Sequence, residues 1–168
     1  MAKPTALFIG RFQPYHNGHH LVVQGMTKLA GRIIIGIGSS DKSGTMENPF
    51  TAQERKEMIQ RALQADDIIP MFDINFVELP DVGDDQKWAD QVLELVGKVD
   101  KVWTGNEHTK KCFEGRIEIQ NIKEVPGIES TQIRDLMKKG GDWEDKVPTE
   151  IARAIKEIEG HKRIQKMT

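Results

Sequence analysis

The chain has 168 residues, of which 38% are hydrophobic and 30% charged, with a formal net charge of -2. That length gives one domain with a real core, and the balance excludes a disordered chain or a surface built for nonspecific nucleic-acid or membrane binding. One cysteine, Cys112, cannot build a disulfide framework, and a reducing cytosol fits it.

The chain opens without a signal-peptide pattern: Lys3 and Pro4 lead into a very short apolar run. No stretch approaches the roughly 18 apolar residues of a membrane span. A cytoplasmic protein is expected. "TALFIG" and "RIIIGIGS" are short, Ile-rich and bounded by turn residues, as buried parallel strands are. "NGHHLVVQGMTKLA" between them has the apolar spacing of a helix, giving a strand–helix–strand unit with a right-handed crossover. After the loop "SSDKSGTMENP", Thr51 and Glu54 form a capping-box pattern heading a helix.

The alternation continues through "FDINFVELP" as strand, "QKWADQVLELVGK" as helix and "KVWTG" as strand. "HTKKCFE" reads as a short helix and "RIEIQNIKEV" as an outer strand. "STQIRDLMKKG" reads as a helix with a hydroxyl cap, and "VPTEIARAIKEIEGHKRI" as one C-terminal amphipathic helix with Pro148 at its start. Five strands alternating with helices predict a doubly wound α/β fold, Rossmann-like, with a parallel sheet and helices on both faces. The expected organisation is a single domain over 1–168, with a helical segment 142–168 packed on it. In such folds ligands bind beyond the carboxyl ends of the strands, so "GRFQPYH", "GIGSSDKS", "LPDVGDDQKW", "TGNEH" and "GIESTQIR" should share one site.

His16 and His19 stand three apart at the head of the first helix, on one face. Free N–H groups near Asn17 and Gly18 would favour an anion there, and Arg11 adds a planar fork suited to phosphate. No Cys, Asp or Glu neighbours the two histidines at ligand spacing, so no protein-held metal is expected. His20 points elsewhere and reads as packing.

"GRFQPYHNGHH" resembles the strand–loop–helix signature of the nucleotidylyltransferase superfamily, with the core His-x-Gly-His at His16 to His19. Its fuller form resembles the archaeal-type nicotinamide mononucleotide adenylyltransferases. "ESTQIRDLM" resembles the superfamily's late Ser-x-Thr-x-x-Arg type motif, here Ser130, Thr131 and Arg134. "ENPFTAQER" is similar to the family's second loop and helix. "TGNEH" resembles its adenosine-lining segment, with Thr104 and Glu107 as departures.

The resemblance implies transfer of an adenylyl group from ATP to nicotinamide mononucleotide, giving NAD and pyrophosphate, with Mg²⁺ held by phosphates and water. It implies catalytic roles for His16, His19, Arg11 and Arg134. ATP or phosphate contacts would come from Gly10, Phe12, Gln13, Gly18, Ser39, Lys42, Gly105, Asn106, Ser130 and Thr131. Trp88 would stack on the nicotinamide ring. Asp85 stands where the family usually has an Asn that meets the carboxamide, which predicts preference for the amide over the nicotinic acid mononucleotide. A homo-oligomer, commonly a hexamer, is implied too. Two alternatives stay open: another phosphorylated acceptor, such as nicotinic acid mononucleotide, flavin mononucleotide or phosphopantetheine, and a non-catalytic nucleotide-binding regulator.

Overall fold

The computed structural model describes residues 2–168. β1 (Thr5–Gly10), α1 (Asn17–Leu29) and β2 (Arg32–Gly38) form the expected first unit. α2 (Ala52–Ala65), a one-turn α3 (Ile68–Met71), β3 (Asp73–Leu79) and α4 (Asp85–Val96) follow. Next come β4 (Lys101–Thr104), α5 (Glu107–Phe113), β5 (Glu118–Asn121), α6 (Ser130–Lys139), α7 (Thr149–Glu157) and α8 (Gly160–Gln165). The five strands pair in the order β3-β2-β1-β4-β5, and every pairing is parallel.

Both faces of the sheet are covered, which explains the unbroken apolar run of β2. Ile33, Ile35 and Ile37 enter one core with Ala6 and Phe8 of β1, against α1, α2, α6, α7 and α8. Ile34 and Leu7 enter the opposite core, against Ala89, Val92 and Val96 of α4 and Cys112 and Phe113 of α5. Successive strand residues point to opposite faces, so a strand apolar at every position belongs between two helical layers.

The capping box of α2 forms as expected: Thr51 Oγ1 accepts from Glu54 N at 3.1 Å, and Glu54 Oε1 accepts from Thr51 N at 3.0 Å. The C-terminal segment departs from expectation, since it is two helices rather than one. Glu159 adopts a left-handed φ of 54° between α7 and α8. That turn brings α8 back onto α6 and sends Ile164 into the core, while Arg163 reaches Glu54 at 2.8 Å. No helix among the described residues is long and apolar enough to cross a membrane.

Candidate active site

The order of strands reverses direction between β1 and β4, the position at which doubly wound folds open a crevice. Here the crevice is two cavities that share Ile9, Gly10, Arg11 and Asn106. The first, about 410 Å³, is lined by His16, His19, Gly105, Ser130, Thr131 and Arg134 among others. The second, about 390 Å³, is lined by Ser39, Asp81, Asp85, Trp88, His108 and Thr109 among others. The strand ends therefore build two adjoining chambers rather than one site.

His16 is the N-cap of α1. Its Nδ1 accepts from Gly18 N at 3.0 Å and from His19 N at 3.3 Å, while His19 Nδ1 accepts from His16 N at 3.1 Å. This reciprocal pair is a capping box made of imidazoles. It corrects in part the expectation of free N–H groups near Asn17 and Gly18, because the N–H groups of Gly18 and His19 are already bonded inside the chain. A nitrogen that accepts carries no proton, so the proton of each neutral ring sits on Nε2. The rings stack with centroids 3.6 Å apart and planes 17° apart. Among the described residues neither Nε2 has a partner within the chain, so both remain as donors at the cavity.

Burial keeps these rings neutral. It lowers the His16 pKa to about 4, and it lowers that of His19 well below the ordinary range, with His16 adding to the effect. Gly18 is required: a Cβ there would stand 2.9 Å from His16 Cε1. His20 is indeed structural, with Nδ1 2.9 Å from the Tyr15 hydroxyl and Nε2 2.5 Å from Asp66.

Of the expected phosphate contacts, Phe12 is instead a packing group, and Gln13, which lines the first cavity, has its side-chain amide committed to pinning the chain. Phe12 has a φ of 53° and is buried against Phe8, Tyr15 and His19, lining neither cavity. Gly10 makes room for it, since a Cβ there would lie 2.9 Å from the Phe12 ring. Gln13 spends its side-chain amide on Phe50, donating to O at 3.0 Å and accepting from N at 2.9 Å. Its carbonyl accepts from buried Arg134 at 2.9 Å.

α6 was expected to begin with a hydroxyl cap, but it has none. Its N-cap is Glu129, which makes no side-chain cap bond, and the Ser130 hydroxyl donates instead to Pro14 O at 3.0 Å. The first-turn amides of α6 are thus left without a side-chain acceptor beside the cavity, as anion-holding helix ends require. Arg134 touches Thr131 Oγ1 at 3.4 Å, and burial followed by the nearby Arg11 lowers its pKa.

Arg55 was missed. It is fully buried, and its guanidinium donates to the carbonyls of Thr51, Arg11, Gly38, Ser39 and Lys42 at 2.7–3.4 Å. It pins the ends of β1 and β2 and the loop beyond. A signal was present, because position 55 lies on the same helical stripe as the apolar Ile59 and Ala62.

In the second chamber Trp88 is half-buried against Phe113, ring centroids 5.6 Å apart. Asp84 caps α4 by accepting from Lys87 N at 2.9 Å, which leaves Asp85 free to pair with His108 Nε2 at 3.1 Å. Ser39 has a φ of 46° and donates to Asp81 at 2.9 Å. Lys42 lines neither cavity and pairs with Asp41 at 3.3 Å on the surface. Sequence reasoning passed over His108, for which only the tertiary pairing gives a signal.

A cytidylyltransferase-like family model matches residues 7–136. The chain belongs to the cytidylyltransferase-like family. It is 40% identical over 167 residues to the nicotinamide-nucleotide adenylyltransferase of Archaeoglobus fulgidus, covering 95% of each chain. It is 38% identical over 162 residues to that of Thermococcus onnurineus, covering 95% of this chain and 86% of the relative. In fold it is similar to a bifunctional NMN adenylyltransferase/ADP ribose pyrophosphatase from Francisella tularensis, with a TM-score of 0.82 at 21% identity, over 96% of this chain and 52% of that one. The crystal structure of that bifunctional protein with AMP and a Mn ion gives a TM-score of 0.78. The archaeal relatives bear out the resemblance carried by "GRFQPYHNGHH", and the cytidylyltransferase-like fold is the doubly wound one expected.

Proposed function

We propose that the chain joins ATP and nicotinamide mononucleotide to give NAD and pyrophosphate. The stacked pair His16–His19 carries this reading: two neutral imidazoles, oriented by the backbone, each with a free Nε2–H donor beside buried Arg134. The 5′-phosphate of the mononucleotide is ionised near neutral pH, so no protein base is required. Its oxygen forms a bond to the α-phosphorus of ATP while the bond to the β-phosphate oxygen breaks. Pyrophosphate departs with the electron pair. What the protein must supply is alignment and relief of repulsion between two anions.

In this assignment the first chamber takes ATP, with His16 and His19 on α-phosphate oxygens. Arg11, Arg134 and the open head of α6 hold the triphosphate. Each neutral ring still offers one fixed Nε2–H, so the donors are in place at neutral pH without protonation of the site. The second chamber takes the mononucleotide, with Trp88 stacked on the pyridinium and Asp85 accepting from the carboxamide. Asp85 would repel a carboxylate at the same point, so the amide is preferred over the acid.

Mg²⁺ suits this site as an ion carried in on the phosphates, where it supplies neutralising charge. Among the described residues the carboxylates lining the first chamber are Glu124 and Glu129, too few for a dedicated octahedral cage. The reading also makes the protein a cytoplasmic homo-oligomer, hexameric as the family resemblance implies. Light scattering checks the latter, and a monomer at micromolar concentration overturns it.

The deciding experiment mixes the protein with ATP, Mg²⁺ and a panel of phosphorylated acceptors and reads pyrophosphate and dinucleotide. Nicotinamide mononucleotide should be the best acceptor. Comparable turnover of nicotinic acid mononucleotide overturns the role of Asp85, and pyrophosphate release with another acceptor alone overturns the substrate. His19→Ala should lower kcat by roughly 10²–10³, the usual cost of losing one donor to a developing charge.

A further inference from the structure

The first turn of α4 and the face of α5 that carries buried Cys112 bring three unlike donors together at the wall of the second chamber. Asp85 Oδ1, His108 Nε2 and Cys112 Sγ lie within 4.8 Å of one another, the one such trio of metal-ligating side chains among the described residues. His108 and Cys112 are four apart on α5, so they share a helix face. Asp85 and His108 are exposed and able to swing, whereas Cys112 is buried and fixed.

One edge of the trio already matches a tetrahedral ion. With metal–oxygen and metal–nitrogen bonds of about 2.0–2.1 Å, an O···N edge spans about 3.3 Å. Asp85 and His108 already stand 3.1 Å apart. A thiolate bond of about 2.3 Å gives edges to sulfur of about 3.5 Å. The three ligand atoms lie within 4.8 Å of one another, and the two exposed side chains are the ones that rotate to shorten the edges to sulfur.

We propose that Asp85, His108 and Cys112 form a three-ligand site for a borderline-soft divalent cation of the zinc class, with its fourth position open to the second chamber. The thiol proton leaves to solvent on binding, and carboxylate and thiolate together balance the charge of the ion. Three protein ligands with one open position is the pattern of an accessible zinc site rather than a sealed structural one. Thiolate and imidazole select against Mg²⁺, which demands oxygen ligands in octahedral array. The ion that travels with ATP and the ion held here are therefore of different classes. On the reading of the second chamber as the mononucleotide site, a filled site engages Asp85 and sets a dication beside Trp88. Zinc-class ions then inhibit where Mg²⁺ supports turnover. That consequence rests on the proposed function, and the site itself does not.

The test titrates chelator-stripped protein with cobalt(II) alone, in excess Mg²⁺, and reads the absorption spectrum. The expected result is saturation at one equivalent, with ligand-field bands of tetrahedral intensity and a thiolate-to-cobalt charge-transfer band. Cys112 is the only cysteine, so it is the only source of that band. Cys112→Ser should abolish the band. His108→Ala, at an exposed position that keeps the core intact, should weaken cobalt binding at least about tenfold. An octahedral spectrum, a titration without saturation, or affinity unchanged by His108→Ala overturns the proposal. Cobalt absorption does not depend on turnover, so failure here leaves the acceptor assignment standing, and failure of that assignment leaves the site standing.

Discussion

At His16 one imidazole serves two purposes on its two nitrogens. Nδ1 caps α1, which fixes the tautomer and presents Nε2–H to the first chamber. Protonation would destroy the cap, and burial opposes it by lowering the pKa to about 4. The sign of the stability effect follows. The unfolded chain takes up this proton near pH 6.5, whereas the folded chain resists it down to about pH 4. The contribution of His16 is therefore complete above about pH 6.5 and is lost as pH falls toward 4. Asn also caps a helix but does not titrate. His16→Asn should thus show a smaller fall in Tm between about pH 7 and about pH 4.5 than the wild type. Equal falls in the two proteins would show that His16 does not carry this effect.

At the scale of elements, the two helices whose heads line the first chamber solve the same problem oppositely. α1 is capped from within by histidines, whereas α6 keeps its head open. An uncapped end is less stable, and leaving it so suits an anion that arrives with the substrate. Glu129→Ser supplies the missing cap at the N-cap position. Thermal unfolding should show a gain of about 0.5–1 kcal/mol, and steady-state kinetics should show a raised KM for ATP, because the new cap competes with phosphate for the same amides. A gain in stability with an unchanged KM would mean that α6 does not hold phosphate.

Arg55 works at the same scale, tying α2 to the ends of β1 and β2 through buried carbonyls. Lys lacks the planar fork and satisfies fewer of them. Arg55→Lys should lower stability by about 2–4 kcal/mol in chemical denaturation, with losses well under 1 kcal/mol contradicting the pinning role.

The whole molecule places its chambers on either side of the β1 end, and beyond the shared Ile9, Gly10, Arg11 and Asn106 each chamber draws on different residues. Their binding should therefore separate. Trp88→Ala should raise the KM for nicotinamide mononucleotide about tenfold or more while leaving the KM for ATP within about twofold, since Trp88 lines only the second chamber. Parallel rises in both constants would mean that the chambers are not divided as proposed.

The sequence by itself determined the five strands and the helices between them except one-turn α3, the doubly wound class, the α2 capping box and the histidine motif. These depend on apolar period and on residues within four positions of one another, and such signals survive in a string of letters. It also set His20 apart from its neighbours. Only the tertiary structure decided what several of these residues are used for. Gln13 meets Phe50 37 positions away, and Arg55 meets Arg11 across 44. Both are polar groups whose roles are fixed by buried carbonyls and amides that the sheet brings near. The left-handed turn at Glu159 depends on where α6 stands to receive α8. The pairing of Asp85 with His108 near Cys112 depends on two helices docking on one face of the sheet. A buried polar group must find a partner wherever the fold puts one, so its partner cannot be read from local spacing.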